Sequence, residues 1–297
     1  MPLSVPRARI SSCTVLMGLA AGLPAQLHAE KSNRTYFAAL SVAADDADSN
    51  SLAGELGFSL GERGWTHFGL GNSSAALADD SSIDTTVGSV LAGYDGEHLE
   101  FQAGFSYRED GTSMQQQDYT AALSYRGAQA RIGVDFFYRT ASSESTASIE
   151  RRFREPLSIR ILESFEGTGI GLHASIDATE HLRLFAGGKA YDYASSNNLP
   201  NYVLRLRRLN FSGVTREEAF LKNSMNAGLS YGFDAVSLSA RYIRDRTLDT
   251  DDITHTTELS ADVPLNDQWS LAPWLGYSSN DLLGEAVFGG VQVSVFW

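Results

Sequence analysis

The sequence predicts an all-β fold: one closed, antiparallel, membrane-spanning barrel of about fourteen strands, with twelve and sixteen as the neighbouring counts. Three observations predict it. Segments of roughly ten residues with unlike faces recur from about residue 34 onward. The connections between them alternate between short and long. The sequence closes on a strand, Val287 to Trp297, whose two faces differ in polarity.

The N-terminal segment is set apart from the rest. Arg7 and Arg9 form a basic start, residues 11–25 are apolar with one proline near the end, and Leu27-His28-Ala29 offers a cleavage site before Glu30. This is the pattern of a secretory signal peptide over residues 1–29, which leaves 30–297 as a single barrel domain. Cys13, the only cysteine, lies at the very start of the apolar stretch and has no lipobox around it, so neither a lipid anchor nor a disulfide is expected. After the signal no apolar run reaches the roughly eighteen residues a transmembrane helix needs. A net charge of -13 argues against a nucleic-acid partner, which would demand a basic surface. With 27 Gly, 15 Phe and 12 Tyr against 7 Pro, the composition suits one large sheet.

Successive side chains of a strand point to opposite sides, so a two-residue period gives a strand an inside and an outside. Segment 99–107 sets Leu99, Phe101, Ala103, Phe105 and Tyr107 against Glu100, Gln102, Gly104 and Ser106. Segment 118–126 sets Tyr119, Ala121, Leu123 and Tyr125 against Thr120, Ala122, Ser124 and Arg126. Segment 130–139 sets Ala130, Ile132, Val134, Phe136 and Tyr138 against Arg131, Gly133, Asp135, Phe137 and Arg139. A strand of this length, tilted about 45°, rises roughly 25 Å, the height of an outer-membrane apolar band.

Short connections fall at 61–64, 95–97, 126–129, 177–180, 233–235 and 266–267. Longer polar ones fall at about 45–51, 74–84, 109–117, 140–164, 194–218, 246–253 and 279–285. Six short and seven long connections make thirteen, hence fourteen strands with both ends on the short-turn side. Alternating stretches at 157–161 and 202–207, inside two of the long loops, are either strand extensions above the membrane or an added hairpin. Pro273 interrupts an otherwise regular strand and predicts a bulge, because a closed barrel has no edge to accommodate its missing donor. Aromatic residues gather at strand ends: Tyr36, Tyr94, Tyr125, Phe233, Trp269 and Trp297 at the short-turn rim, and Tyr107, Tyr119, Tyr138, Tyr242 and Tyr277 at the other. Amphipathic rings favour the headgroup level.

In the last strand Val291, Val293, Val295 and Trp297 share the apolar face, while Gln292 and Ser294 lie on the other. A strand of this pattern ending in an aromatic residue resembles the C-terminal signal of bacterial outer-membrane β-barrel proteins, among them the monomeric fourteen-stranded porins. That resemblance implies insertion by the outer-membrane assembly machinery, periplasmic termini, and contact with outer-membrane lipid and lipopolysaccharide. Families of this type usually end in Phe, and Trp297 departs mildly from that.

If the apolar faces meet lipid, the alternate positions line the interior. Glu55, Glu100, Arg131, Asp135, Arg139, Arg183, Lys189, Lys222, Arg241, Glu258 and Asp262 are the candidate lumen and selectivity residues, joined by His67, His173, Asn226 and Gln292. Charges in a dry interior would be very costly, so a water-filled lumen is expected, narrow at fourteen strands. The basic residues come from the strands between about 129 and 247, with Asp135 among them, and Glu55, Glu100, Glu258 and Asp262 from the remaining wall. This predicts opposed basic and acidic walls and a transverse field across the lumen, or else ion pairs that brace the barrel.

The expected function is a passive porin-like channel for small hydrophilic solutes, with neither cofactor nor metal. The alternatives are a non-conducting barrel displaying adhesive loops, or an outer-membrane lipase or protease. Of the histidines, His67 and His173 point inward, His98 and His181 sit at short turns, and His255 alone lies near the outer rim, close to Asp251 and Asp252. No converging catalytic set is legible, so no enzymatic activity is expected.

Overall fold

In hydrocarbon every backbone N–H and C=O must be paired internally, and a sheet can do this only by closing on itself. The chain does so in the computed structural model, which describes residues 36–46, 49–76, 82–110, 114–151, 154–194, 221–233, 236–248, 251–281 and 284–297. Residues 1–29, the expected signal segment, and the alternating stretch 202–207 lie outside the described residues.

The barrel wall begins with β1 (Tyr36–Asp45), β2 (Asn50–Leu60), β3 (Gly64–Ala76), β4 (Ser82–Asp95) and β5 (Leu99–Glu109). It continues through β6 (Met114–Arg126), β7 (Ala130–Arg151), β8 (Arg154–Asp177), β9 (Leu182–Tyr193) and β10 (Leu221–Gly232). The last four are β11 (Ser237–Thr247), β12 (Ile253–Pro264), β13 (Trp269–Asn280) and β14 (Gly284–Phe296). Each strand pairs with its neighbours in sequence, and β14 returns to β1 to close the fourteen-stranded barrel. At this seam Phe37 faces Phe296, Val42 faces Val291 and Asp45 faces Phe288. Tyr36 and Trp297 exchange two backbone hydrogen bonds of 3.1 Å, and their rings stack at 6.1 Å.

Strand count and all-antiparallel topology follow the sequence reading, but the long connections do not. Residues 140–151 and 154–164 instead lengthen β7 and β8, of 22 and 24 residues, which pair from Ala130–Ile176 to Arg151–Arg154. The stretch 157–161 is therefore strand extension, not an added hairpin. Likewise β3 runs to Ala76, β4 begins at Ser82, and β6 begins at Met114, inside segments expected to be loop. The reason is physical: polar residues on both faces mark where the wall leaves hydrocarbon, and a ladder in water keeps its hydrogen bonds.

Pro273 does not bulge its strand. It faces Val291 of β14, and the β12–β13 ladder resumes in unchanged register, with Ser260 opposite Trp274 and Val263 opposite Leu271. The missing donor is absorbed as a local gap in the ladder. A register shift does occur in β10, between Leu221 and Asn223.

The exterior is an apolar belt. Leu123, Val134 and Leu172 form one cross-strand row, and Leu123 and Leu172 are exposed by 47% and 64%. Such exposure suits a surface that lipid covers. Tyr119 and Tyr138 rim the belt at one end, and Tyr94, Tyr125, Trp269 and Trp297 at the other.

Candidate functional site in the barrel lumen

Register decides which side chains face inward. From Glu55 on β2 the inward face passes through Gly69, Ser89 and on round the wall, and it takes in Glu100, Arg131, Asp135, Arg139, Arg183, Lys189, Arg241, Glu258 and Asp262. Lys222 stands apart, at the β10 register shift. Its ammonium donates to Asp251 Oδ1 at 3.1 Å, and Arg246 reaches Asp251 Oδ2 at 3.1 Å, in the connection between β11 and β12. The hydrogen bond from Lys222 is the main influence holding the Asp251 carboxyl below its ordinary value, with Arg246 adding to it.

The expected opposition of basic and acidic walls is not what forms. The acids interleave with the bases on one arc. The Glu100 carboxylate of β5 is held by Arg126 of β6 and Arg131 of β7. Asp118 of β6 takes both Nε and an Nη of Arg139, at 2.5 and 3.2 Å, and also accepts from Gln116 at 2.7 Å. Asp177 accepts from Arg183 Nε at 2.5 Å. Arg241 and Glu258 stand opposite each other in register. Adjacent strands bring opposite charges to the same height, and their attraction offsets part of the desolvation cost each would bear alone. Lys189 lies 4.9 Å from the centre of the Phe137 ring, a cation–π distance.

The remaining arc, β13 through β4, carries few charges and mixes aromatic rings with small polar side chains such as Ser41, Gln292 and Ser294. Ala43, Trp274 and Phe288 form a buried cluster on its inner surface. Phe37 meets His67 edge-on at 4.8 Å, and Trp65 lies 4.7 Å from the same imidazole. Val87 and Leu91 also face inward and are buried. Glu55 is the one predicted charge on this arc, and it is buried too. The charged side chains thus gather on β5 to β12, while inward rings occur on both arcs, with Phe137, Phe185 and Tyr191 among the charges.

A spacing rule keeps the inward rings from filling the bore. Phe37 faces Gly57, Trp65 faces Gly93, Phe185 faces Gly228, Tyr191 faces Gly169, Trp274 faces Gly290 and Phe288 faces Gly276. A Cβ at any of these glycines would overlap the ring opposite. Each ring thus lies along the wall over a bare stretch of neighbouring backbone.

His173 also sits opposite a glycine, Gly133. Its Nε2 lies 2.9 Å from Ser124 Oγ, and its Nδ1 lies 3.0 and 3.1 Å from the two carboxylate oxygens of Asp135. The sequence reading found no converging set around any histidine; the closed barrel brings three residues from three strands together. Asp118, Ser124 and Arg126 were absent from the predicted lumen set. Their signal was present in the alternation of β6, where they share a face with Ala122 and Thr120.

The four predicted assembly residues, Val291, Val293, Val295 and Trp297, line the outer face of β14 beside the seam. The rim histidine His255 faces outward, and its Nδ1 lies 2.5 Å from the Tyr242 hydroxyl.

Solved structures share this architecture. The chain is similar to the CymD monoaromatic hydrocarbon channel, with a TM-score of 0.56, 10% identity, and 89% of each chain covered. It is similar to a Pseudomonas aeruginosa FadL homologue at a TM-score of 0.52 and 9% identity, covering 88% of this chain and 89% of that one. A loop-deletion mutant of OmpT, an outer-membrane protein of Vibrio cholerae, matches at a TM-score of 0.50 and 8% identity, covering 88% and 98%. No protein-family model and no curated protein matches the sequence. At these identities the likeness is one of fold: the chain is an outer-membrane-type β-barrel.

Proposed function

We propose that this chain is a passive channel of the bacterial outer membrane that admits small hydrophilic solutes. The observation that carries this reading is the contrast between the two faces of one closed wall. Outside, the wall is an apolar belt between aromatic rims; inside, β5 to β9 carry a run of ion-paired side chains, with Arg241 and Glu258 facing each other on β11 and β12. Ionised groups need water or partners, and a wall that gathers them inward while keeping its aromatic rings flat is built around an aqueous bore. The likeness in fold to channel proteins supports the same reading.

The inward aromatic rings of the lumen favour a second reading, in which preferred solutes carry an apolar ring as well as a polar group. Trp274, Phe288, Trp65 and Phe37 would offer that ring a surface, and the likeness to a monoaromatic hydrocarbon channel agrees with it.

Planar-bilayer recording tests the proposal, followed by swelling of protein-loaded vesicles in a small sugar and in a small aromatic acid. Stepwise conductance with sugar-driven swelling is expected. Faster permeation of the aromatic acid than of an aliphatic acid of equal size would carry the second reading. A correctly folded barrel that neither conducts nor swells would overturn both.

A further inference from the structure

We infer that Ser124, His173 and Asp135 form a nucleophilic triad on the lumen wall that hydrolyses small carboxylic esters. The three residues come from adjacent strands. Ser124 lies on β6, Asp135 on β7 and His173 on β8, and register places Gly133 directly between Ser124 and His173. A side chain at position 133 would occupy the space through which the imidazole meets the hydroxyl, since a Cβ there overlaps both. The glycine of the middle strand therefore lets residues two strands apart touch.

Chemistry fixes the roles. Asp135 can only accept when ionised, so the His173 nitrogen facing it, Nδ1 at 3.0 and 3.1 Å, carries the proton. In a neutral imidazole Nε2 is then the acceptor, and the Ser124 hydroxyl at 2.9 Å donates to it. This is the arrangement in which a serine is activated by a base that is itself oriented by a carboxylate. The His173 and Asp135 side chains are 12% and 3% exposed, which holds their rotamers in place. Asp135 is the positioning residue here.

The reaction balances without any further cofactor. Ser124 Oγ forms a bond to the ester carbonyl carbon as its proton passes to His173 Nε2. The carbon–alkoxy bond breaks, and the departing alcohol takes that proton. Water then attacks the acyl-serine, giving its proton to Nε2, and the serine recovers it as the carboxylic acid leaves. Barrel backbone N–H groups are committed to the ladder, so positive charge at the oxyanion falls to side chains. Arg131, two residues from Gly133 on the same face of β7, is paired with Glu100, and in this role it would share its charge between that carboxylate and the oxyanion. The group lies close to the short-turn mouth: Ser124 is two residues from the end of β6, and His173 is four from the end of β8. Ser124 is itself buried, at 3% exposure, so a reagent entering from that mouth must displace the side chains that cover the hydroxyl.

The test uses the full barrel, folded in detergent and verified by heat-modifiable migration. A small fluorophosphonate probe should label the parent, and peptide mapping should place the adduct on Ser124. Hydrolysis of p-nitrophenyl acetate should be saturable, abolished in Ser124→Ala, and reduced at least a hundredfold in His173→Gln. Asp135→Asn should lower kcat while leaving KM within about twofold, the split expected of a residue that orients the base. Gly133→Ala tests the geometry separately, because it should abolish labelling while Ser124, His173 and Asp135 all remain. Absence of labelling in a folded parent barrel, or hydrolysis that persists in Ser124→Ala, would overturn the proposal. These readouts do not depend on conductance, so they can fail while the channel reading stands.

Discussion

Replacing Leu172 with Arg tests the lipid-facing assignment where it has most to lose. Leu172 sits in the outward row with Val134 and Leu123, and is 64% exposed on the barrel surface. Below it on β8 the outward face continues with Ile176, and above it with Ile170 before Thr168 reaches the level of the Tyr138 rim. Thr168 lies four positions from Leu172 along the strand. At about 3.4 Å per residue and a tilt near 40°, that is roughly 10 Å of depth. An Arg near the midplane destabilises a membrane barrel by about 2–4 kcal/mol, and one near the interface by about 0–1 kcal/mol. Leu172→Arg should therefore shift the unfolding equilibrium roughly 30- to 900-fold, and Thr168→Arg less than about tenfold. Reversible urea unfolding in phospholipid vesicles, followed by tryptophan fluorescence, measures both on the same strand and face. Equal losses at the two positions would mean that no depth gradient exists, and the belt would not be a lipid-facing surface.

Three further outcomes are expected. Gly276→Val should destabilise the barrel by about 1–3 kcal/mol, because its Cβ would collide with the Phe288 ring; Phe288→Ala in the same chain should recover part of this, and an additive double mutant would refute the ring–glycine pairing. Deleting Trp297, or changing Val295 and Trp297 to Asp, should leave secretion intact but strand the protein in the periplasm, since that edge must both close on β1 and meet lipid; membrane-extracted, heat-modifiable mutant protein would contradict the assignment. The Asp251 carboxyl is held below its ordinary value by Lys222 and then Arg246, so its support of the outer connection is complete above that ordinary value and is lost as pH falls through the lower, folded-state one. Hydrogen exchange of the segment around 251 should rise on acidification in the parent and stay high at every pH in Asp251→Asn, whereas superimposable profiles would sink the idea.

The sequence made the wall legible and left the interior largely unread. Period-two alternation, as in Phe101 to Tyr107 or Tyr119 to Tyr125, is a local signal, and each strand can be read without its neighbours. Strand order follows from antiparallel hairpins, and parity from the alternation of connections. Strand ends were misjudged because polar residues such as those at 140–164 signal water, and water does not end a ladder. The interior depends on register, which sets heights across strands and is invisible within any one of them. Glu100 was assigned to a wall opposite the arginines for this reason. Only pairing β5 to β6 and β6 to β7 shows it beside Arg126 and Arg131.

Glycine was the missing signal. It reads as permissive filler in a strand, yet here many inward glycines mark where a neighbour's large side chain lies flat: Phe37 over Gly57, Trp65 over Gly93, Phe288 over Gly276. A ring directed along the wall occupies the volume a Cβ would have taken; a ring directed inward would narrow the bore. The same device at Gly133 lets His173 reach across to Ser124. In a barrel whose backbone bonds are already complete, these pairings cost the wall little, because the ladder does not depend on which side chains face inward. They do set how much of the lumen side chains occupy and which groups can meet there. Cross-strand glycine–aromatic pairing therefore connects the architecture to function, and it can be sought in sequence once strand register is known.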